Sequence, residues 1–426
     1  MENIAIVITA LVAMIYALVK EFLRPGLVLF SVVVLLLASG VITSADALAG
    51  FANRGMVTVA LLFLVSEGIR HSQCLTPIMN RIFPHSAACT LRRGYLHILP
   101  TIASISAFLN NTPIVVIFTP HIKAWCSRAG ISIKKLLIPL SYTAILGGMC
   151  TLIGTSTNLV VHSLMIEAGV GGFTMFELGK VGVIIATLSI GYMVLFIGHQ
   201  LPDETMPKES GDTTAEPTIA VPRWKRRLAL GLLVVMVAGA TIGSHETFGE
   251  IDSDMFLWAA IVATLMAIFG IYPAKNYTTY ISWDILVTIA SALAISRAMT
   301  ISGLADVAAA AVISLCKSCS PRVILAIIYL ITNAITELIT NNAAAAFAFP
   351  IAIAAANQLG VSPTPFCVAI AIAASASFCS PIGYQTNTIV QALGGYSFSD
   401  FVRAGLPLTV IAFIVSMIFI PIFWKF

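Results

Sequence analysis

The stretch Ser106-Ala-Phe-Leu-Asn-Asn-Thr-Pro113 is a polar turn inside the apolar segment 96–125. A second copy, Thr336-Glu-Leu-Ile-Thr-Asn-Asn-Ala343, interrupts the apolar segment 322–356. A constant offset of 230 residues relates the copies and also takes Pro120 to Pro350, and we expect each proline to close its apolar run. The two copies therefore predict that both segments are broken at matching places.

The composition predicts a chain that lies in a lipid bilayer. Hydrophobic residues make up 58% of it and charged residues 10%, whereas a soluble domain has about 25% charged residues. The N-terminal apolar run lacks a basic region and a cleavage site, so we interpret it as the first membrane helix. The net charge of +4 then reports on membrane topology and does not indicate a nucleic acid partner.

A membrane helix needs about 20 apolar residues. Two further stretches, 70–95 and 301–318, are typical of interfacial helices. The predicted membrane segments are 4–20, 27–43, 56–70, 96–125, 136–165, 179–199, 228–244, 255–272, 285–299, 322–356, 364–392 and 405–423.

The two halves of the chain repeat each other in order. Val57-Thr-Val-Ala60 returns as Val287-Thr-Ile-Ala290, and Ile153-Gly-Thr-Ser-Thr-Asn158 returns as Ile382-Gly-Tyr-Gln-Thr-Asn387. The polar stretch between the halves is typical of a flexible cytoplasmic linker. The predicted organisation is repeat 1 at 1–200, the linker at 201–227 and repeat 2 at 228–426.

Basic residues indicate how the repeats are inserted. If 96–125 and 322–356 are re-entrant hairpins, each half has five crossings, and the second half is inverted. With the N-terminus outside, most of the 23 Lys and Arg residues then lie on the cytoplasmic side, as the positive-inside rule requires. The predicted fold class is an all-α polytopic membrane protein with two inverted repeats. Each repeat has five transmembrane helices, one re-entrant helical hairpin and one broken helix, at 136–165 or 364–392.

Four polar motifs carry the chemistry of this arrangement. Besides the two hairpin tips they are Gly154-Thr-Ser-Thr-Asn158 and Gly383-Tyr-Gln-Thr-Asn387, which interrupt the predicted broken helices. A helix that ends inside the membrane exposes N–H groups that attract anions, or carbonyls that attract cations. None of the motifs contains Lys or Arg, and Glu337 is their one acid. An oxyanion with sodium ions as counter-charge fits this set of donors and acceptors.

A lone Asn-Asn pair would more often only bridge neighbouring membrane helices. Four motifs in two matched pairs favour a binding site instead, because interrupted segments at corresponding places in two halves are typical of a transporter's central site. An enzyme would need a nucleophile–base pair or a metal cluster. The predicted helices contain no Ser/His/Asp or His-Glu cluster, so we expect neither an enzyme nor an organic cofactor.

These motifs resemble those of the divalent anion:sodium symporters, the sodium-coupled sulfate and dicarboxylate carriers of the ion transporter superfamily. That family has a Ser-Asn-Thr signature at each hairpin tip, matched here by Asn110-Asn111-Thr112 and Thr340-Asn341-Asn342. Its Gly-Thr-Pro-Pro-Asn breaks are matched by 154–158 and 383–387, without the prolines. Leu136-Leu-Ile-Pro-Leu-Ser-Tyr142 is similar to the sulfate-permease branch.

The resemblance implies two sodium sites, one substrate site, and a homodimer whose hairpin-bearing domain moves by an elevator-type slide against a fixed scaffold. The first implied sodium site comprises Ser106, Asn110, Asn111 and Gly154, and the second comprises Thr336, Thr340, Asn341 and Gly383. The implied substrate-binding residues are Asn110, Asn111, Thr112, Thr155, Ser156, Thr340, Asn341, Asn342, Tyr384 and Gln385.

The function expected from these observations is sodium-coupled import of a divalent oxyanion, sulfate foremost, across the cell membrane. Two alternatives remain open at this point. One is a sodium-coupled di- or tricarboxylate transporter, and the other is a passive anion channel.

Overall fold

The protein is described by a computed structural model over residues 2–20, 22–83, 90–203, 221–243, 255–314 and 320–426. The described ranges are built from helices and contain no strand. A π-helical turn at Met193–Ile197 and a 3₁₀ turn at Ala274–Asn276 join helices. The α-helices are α1 (Glu2–Val19), α2 (Pro25–Ala38), α3 (Ser44–Ala49), α4 (Arg54–Ser72), α5 (Thr76–Ile82), α6 (Leu91–Ser106), α7 (Asn111–Ala129), α8 (Lys134–Gly148), α9 (Ser156–Glu167), α10 (Gly179–Tyr192), α11 (Gly198–Gln200), α12 (Arg223–Gly243), α13 (Met255–Ile268), α14 (Tyr277–Tyr280), α15 (Trp283–Ile301), α16 (Leu304–Ser314), α17 (Pro321–Leu338), α18 (Asn341–Leu359), α19 (Thr364–Ser375), α20 (Gln385–Gly394) and α21 (Phe398–Phe423).

Apolar helices of membrane-spanning length occur along the described chain, and the prediction of an all-α membrane protein is confirmed. By length and composition, seven helical stretches can cross a bilayer. They are Glu2–Val19, Ser44–Ser72, Gly179–Gln200, Trp283–Ile301, Pro321–Leu338, Asn341–Leu359 and Phe398–Phe423.

Each of the four segments with a polar motif is divided into two helices. The segment 96–125 is shared by α6 and α7, and 322–356 by α17 and α18, with the Asn-containing motif at the junction. The segment 136–165 is shared by α8 and α9, and 364–392 by α19 and α20. The non-helical parts of these two segments are 149–155 and 376–384. The last three residues of each Gly-containing motif, 156–158 and 385–387, therefore belong to the second helix.

The expectation that Pro120 and Pro350 close their runs is wrong. Both prolines lie inside helices, α7 and α18, which continue for about two further turns. Those helices end instead at Gly130 and Gly360, each with a φ of 65°. A glycine in the left-handed region ends a helix at no steric cost. A proline removes one backbone hydrogen bond, and a membrane helix can continue past it, as α7 does at the exposed Pro120 and α18 at the buried Pro350.

The predicted linker 201–227 extends too far toward the C-terminus. Helix α12 begins at Arg223, directly after Pro222, so the basic residues 223–227 form its first turns. A prediction from apolar runs excludes these residues, because charged residues at the end of a membrane helix do not extend such a run. Residues 204–220 of the linker lie outside the described residues.

The helices with polar motifs form the centre of the described fold. Every residue of α8 from Leu136 to Gly148 is buried, as is α19 from Pro365 to Ser375. Helix α9 packs against α18 and α19, and α20 packs against α7 and α8, so each half of the chain interlocks with the other. Helices α2, α4, α12, α13 and α15 pack among themselves and contact this centre through α4–α9 and α15–α18.

Candidate functional site

Four helix N-termini meet where the halves interlock. Helices α7, α9, α18 and α20 begin there, and none has its first turn capped by a hydrogen bond to the preceding side chain. The first N–H groups of a helix have no partner within the helix, and Asn and Thr at the preceding position commonly satisfy one of them. The four preceding residues are Asn110, Thr155, Thr340 and Tyr384.

The first tip contacts the break in the opposite half. The Asn111 amide nitrogen donates to the Tyr384 hydroxyl at 2.6 Å, and the Tyr384 and Thr155 hydroxyls lie 2.7 Å apart. The Thr112 hydroxyl donates to Gln385 Oε1 at 3.1 Å. Asn111, Thr155 and Tyr384 are buried, whereas Gln385 is exposed.

The second tip makes the reciprocal contact. The Asn341 amide nitrogen donates to the Thr157 hydroxyl at 2.6 Å, and the Ser156 and Thr157 hydroxyls both donate to Asn342 Oδ1 at 3.2 Å. The Thr340 hydroxyl is buried and has no hydrogen-bond partner. The two tips and the two breaks therefore form one polar cluster.

Oxygen atoms converge at the first tip around Ser106. The Ser106 hydroxyl lies 2.8 Å from the Ala144 carbonyl and 2.8 Å from Asn111 Oδ1. If the Asn111 amide is turned over, its nitrogen takes this place, 2.8 Å from Ser106 Oγ, 2.9 Å from the Ala144 carbonyl and 3.3 Å from the Gly154 carbonyl. The amide atom on this side therefore always faces three oxygens, and only the hydrogen-bond network distinguishes O from N.

The second half repeats part of this geometry. The Thr336 hydroxyl donates to the Ala374 carbonyl at 2.7 Å, and both residues lie 230 positions after Ser106 and Ala144. Here the Asn341 amide is instead directed at the opposite half. The Ser377 hydroxyl also donates to the Thr336 carbonyl, at 3.5 Å.

Two asparagines hold the non-helical segments in the same way. The Asn158 amide nitrogen donates to the carbonyls of Gly148 and Thr151, ten and seven residues earlier, at 3.2 and 2.8 Å. The Asn387 amide nitrogen donates to carbonyls ten and seven residues earlier, those of Ser377 and Ser380, at 2.9 and 3.0 Å. These bonds satisfy carbonyls that each non-helical segment would otherwise leave buried and unpaired.

Glycine is needed where each break approaches its tip. A Cβ atom on Gly154 would lie 2.6 Å from the Gly148 carbonyl oxygen and 3.0 Å from that of Ala107. A Cβ atom on Gly383 would overlap the Thr336 carbonyl oxygen and the Ser377 hydroxyl. Both contacts involve backbone, which cannot move aside as a flexible side chain can.

Glu337 contributes a carboxylate next to the second tip. It accepts hydrogen bonds from the Ser377 hydroxyl at 3.1 Å and from the N–H groups of Phe378 and Cys379 at 3.0 Å. The equivalent residue in the first half is Ala107, so this anchor has no counterpart there. Glu337 therefore fixes the start of the second break against α17.

The structure brings nearly all the predicted site residues together, with Asn110 at the margin. Asn110 is half-buried and lines a narrow crevice with Ser156, Phe63 and Met236, outside the hydrogen-bonded cluster. Sequence reasoning missed the Ala144 and Ala374 carbonyls, because a backbone oxygen has no sequence signal. It also assigned no role to Thr157, although that residue lies inside a recognised motif.

The sequence profile of a family described as citrate transporters matches residues 2–251 and 251–426. The chain belongs to this family. An uncharacterized transporter of Synechocystis is 26% identical over 584 aligned residues, which cover 96% of this chain and 94% of the relative. Sodium/sulfate cotransporter 1 of Chlamydomonas reinhardtii is 39% identical over 169 residues, which cover 38% of this chain and 19% of the relative.

Among solved structures, the YdaH transporter of Alcanivorax borkumensis matches with a TM-score of 0.64 and 15% identity, covering 89% of this chain and 87% of that one. At this identity the match shows the fold alone. The family and its members establish the chain as an integral membrane transporter and not an enzyme. The resemblance to the sodium symporters of divalent anions is thereby confirmed.

Proposed function

We propose that this transporter imports a divalent oxyanion, sulfate foremost, by secondary active transport coupled to sodium. The observation that carries the proposal is the position of the Asn111 amide. It joins converging oxygen atoms around Ser106 to a cluster of uncapped helix N-termini around Tyr384. One side chain thus separates a place suited to a cation from a place suited to an anion.

The anion place takes its charge from the backbone. A helix N-terminus carries roughly half a positive charge and presents free N–H groups, and four N-termini meet here. Hydroxyl and amide groups of Thr155, Ser156, Asn342 and Tyr384 supply directional donors. An oxyanion can accept from all of these groups without a fixed positive side chain.

The cation place lies at helix C-termini, where the backbone carries the opposite charge. Ser106 is the last residue of α6, and Ala144 lies four residues before the last residue of α8. Ser106 has one hydroxyl proton, so it cannot satisfy both the Ala144 carbonyl and Asn111 Oδ1. A sodium ion among these oxygens would remove their repulsion and hold the amide with Oδ1 inward, whereas hydrogen bonding alone favours the turned-over amide.

Paired bonds in the two halves support the proposed duplication. The Ser106–Ala144 bond corresponds to Thr336–Ala374, and the Asn158 bonds correspond to those of Asn387. We propose two inverted repeats, with Thr336, Thr340, Asn341 and Gly383 around a second sodium ion. We further propose that the interlocked centre slides as one body against the outer helices in a homodimer, with the N-terminus outside the cell.

A sodium-coupled di- or tricarboxylate transporter is the second candidate, and the family's description as citrate transporters favours it. Sulfate is favoured over a carboxylate as the substrate because a Chlamydomonas reinhardtii relative that aligns over part of the chain is called a sodium/sulfate cotransporter. The motif 383–387 also has Gln385 and Thr386 in place of the two prolines of the family pattern, which the dicarboxylate branch keeps more strictly.

Purified protein in liposomes, loaded with potassium and diluted into labelled sulfate, tests the proposal. We expect saturable uptake with external sodium and none with external potassium, inhibition by unlabelled sulfate and little inhibition by succinate or citrate. Asn111→Ala is the matched inactive variant. Uptake that follows a proton gradient without sodium would contradict the coupling, and non-saturable sodium-independent flux would instead support a channel.

A further inference from the structure

Tyr384 and Thr155 occupy equivalent places in the two halves but differ in size. Each directly follows the glycine of its motif and directly precedes a helix, α20 or α9. Their backbones match, with φ and ψ of −137° and 130° for Tyr384 and −141° and 145° for Thr155. Thr155 exposes 1% of its surface and Tyr384 exposes 6%. A small side chain and a large one therefore fill matching positions in the centre.

The Tyr384 side chain crosses from its own half to the other. Its hydroxyl lies 2.7 Å from the hydroxyl of its equivalent, Thr155, and 2.6 Å from the Asn111 amide. The phenol oxygen therefore lies where α7 and α9 begin. That is where the uncapped N-termini would attract an oxygen of a bound anion, so the ring reduces the space that a substrate can occupy.

We propose that Tyr384 sets the size limit of the substrate site and restricts it to compact tetrahedral oxyanions. The inference rests on the proposed function. A tyrosine side chain exceeds a threonine side chain by roughly five non-hydrogen atoms, about the size of a sulfate ion. The phenol therefore takes the volume that the second carboxylate of a four-carbon diacid would need, and its hydroxyl contacts the smaller anion.

The test compares uptake of labelled sulfate and succinate under an inward sodium gradient in wild type and three variants. Tyr384→Thr makes the halves alike and should lower the ratio of sulfate to succinate uptake at least about tenfold, the usual effect of enlarging a pocket by one or more methylenes. Tyr384→Phe keeps the ring and should still exclude succinate while transporting sulfate less well. The double variant Tyr384→Thr with Thr155→Tyr supplies the phenol from the other half and should restore discrimination.

If the wild type takes up sulfate and Tyr384→Thr has the same ratio of sulfate to succinate uptake, the inference is overturned and the proposed function is left intact. Succinate uptake by Tyr384→Phe also overturns it, because the ring is still present. A wild type that takes up no sulfate overturns the proposed function and the inference together. If a variant transports neither anion, its melting temperature is measured in detergent with sodium, in the presence of sulfate or of succinate. Stabilisation of Tyr384→Thr by succinate supports the size limit, and stabilisation by neither anion overturns it.

Discussion

Ser106→Ala should weaken sodium binding without preventing folding. It removes a fully buried hydroxyl whose oxygen lies 2.8 Å from the Ala144 carbonyl and 2.8 Å from the Asn111 amide. A polar contact to a charged group contributes about 1.5–3 kcal/mol, and a loss of about 1.4 kcal/mol corresponds to tenfold weaker binding. We therefore expect the sodium dissociation constant to rise tenfold or more.

The magnitude can be read from thermal stability without measuring transport. At a sodium concentration about 100 times the wild-type dissociation constant, bound sodium stabilises the folded state by about 2.7 kcal/mol. A tenfold weaker site gives roughly 1.4 kcal/mol at the same concentration. The assay is the melting temperature in detergent, titrated with sodium chloride at constant ionic strength against choline chloride.

Ser106→Thr is the matched control. The equivalent residue in the second half is Thr336, whose hydroxyl makes the same bond to Ala374 at 2.7 Å, so a threonine hydroxyl can take this role. The threonine variant should keep the wild-type sodium titration. Identical titrations of Ser106→Ala and wild type, or equal losses in the alanine and threonine variants, would refute the assignment of this hydroxyl to a cation.

Three further predictions concern the breaks. Gly154→Ala should abolish sulfate uptake and lower the melting temperature, because its Cβ would lie 2.6 Å from a backbone carbonyl oxygen, whereas Gly191→Ala, with no atom within 4 Å, should change neither. Asn387→Leu leaves two buried carbonyls unpaired and should lower the free energy of unfolding by about 2–4 kcal/mol in urea titrations; an unchanged midpoint would contradict its role. Glu337→Leu should lower the free energy of unfolding by about 1–3 kcal/mol for each N–H left unpaired. Glu337→Gln keeps an acceptor oxygen and should melt near the wild-type temperature.

The interruptions of the helices could be predicted because they depend on local sequence. Asn110 and Asn111 are polar residues inside an apolar run, and the structure places the start of α7 between them. The ends of these helices were predicted less well. The sequence predicts that Pro120 ends the helix that Gly130 actually ends, because a proline disfavours a helix locally although a membrane helix can tolerate the loss of one hydrogen bond.

The partners of the motif residues could not be predicted from the sequence. Asn111 bonds to Tyr384, 273 residues later, and Asn341 bonds to Thr157, 184 residues earlier. Alignment of the halves relates Asn111 to Asn341 and so pairs equivalent residues. It does not indicate that each tip packs against the break of the other half, which follows from the tertiary packing of α9 on α18 and of α20 on α7.

Charge balance connects the two proposed cation places to a divalent substrate. Burying an uncompensated charge costs several kcal/mol per ion even after the protein relaxes, and the four motifs contain no basic side chain. A divalent anion with two sodium ions is neutral, and the empty site differs from the loaded one by no net charge. Both forms can then cross the membrane at similar cost, whereas a site holding only the anion would carry two uncompensated charges. Under the proposed function, the Ser106–Ala144 and Thr336–Ala374 pairs would each help to hold one such ion, so loss of either should stall the loaded carrier even where the anion still binds.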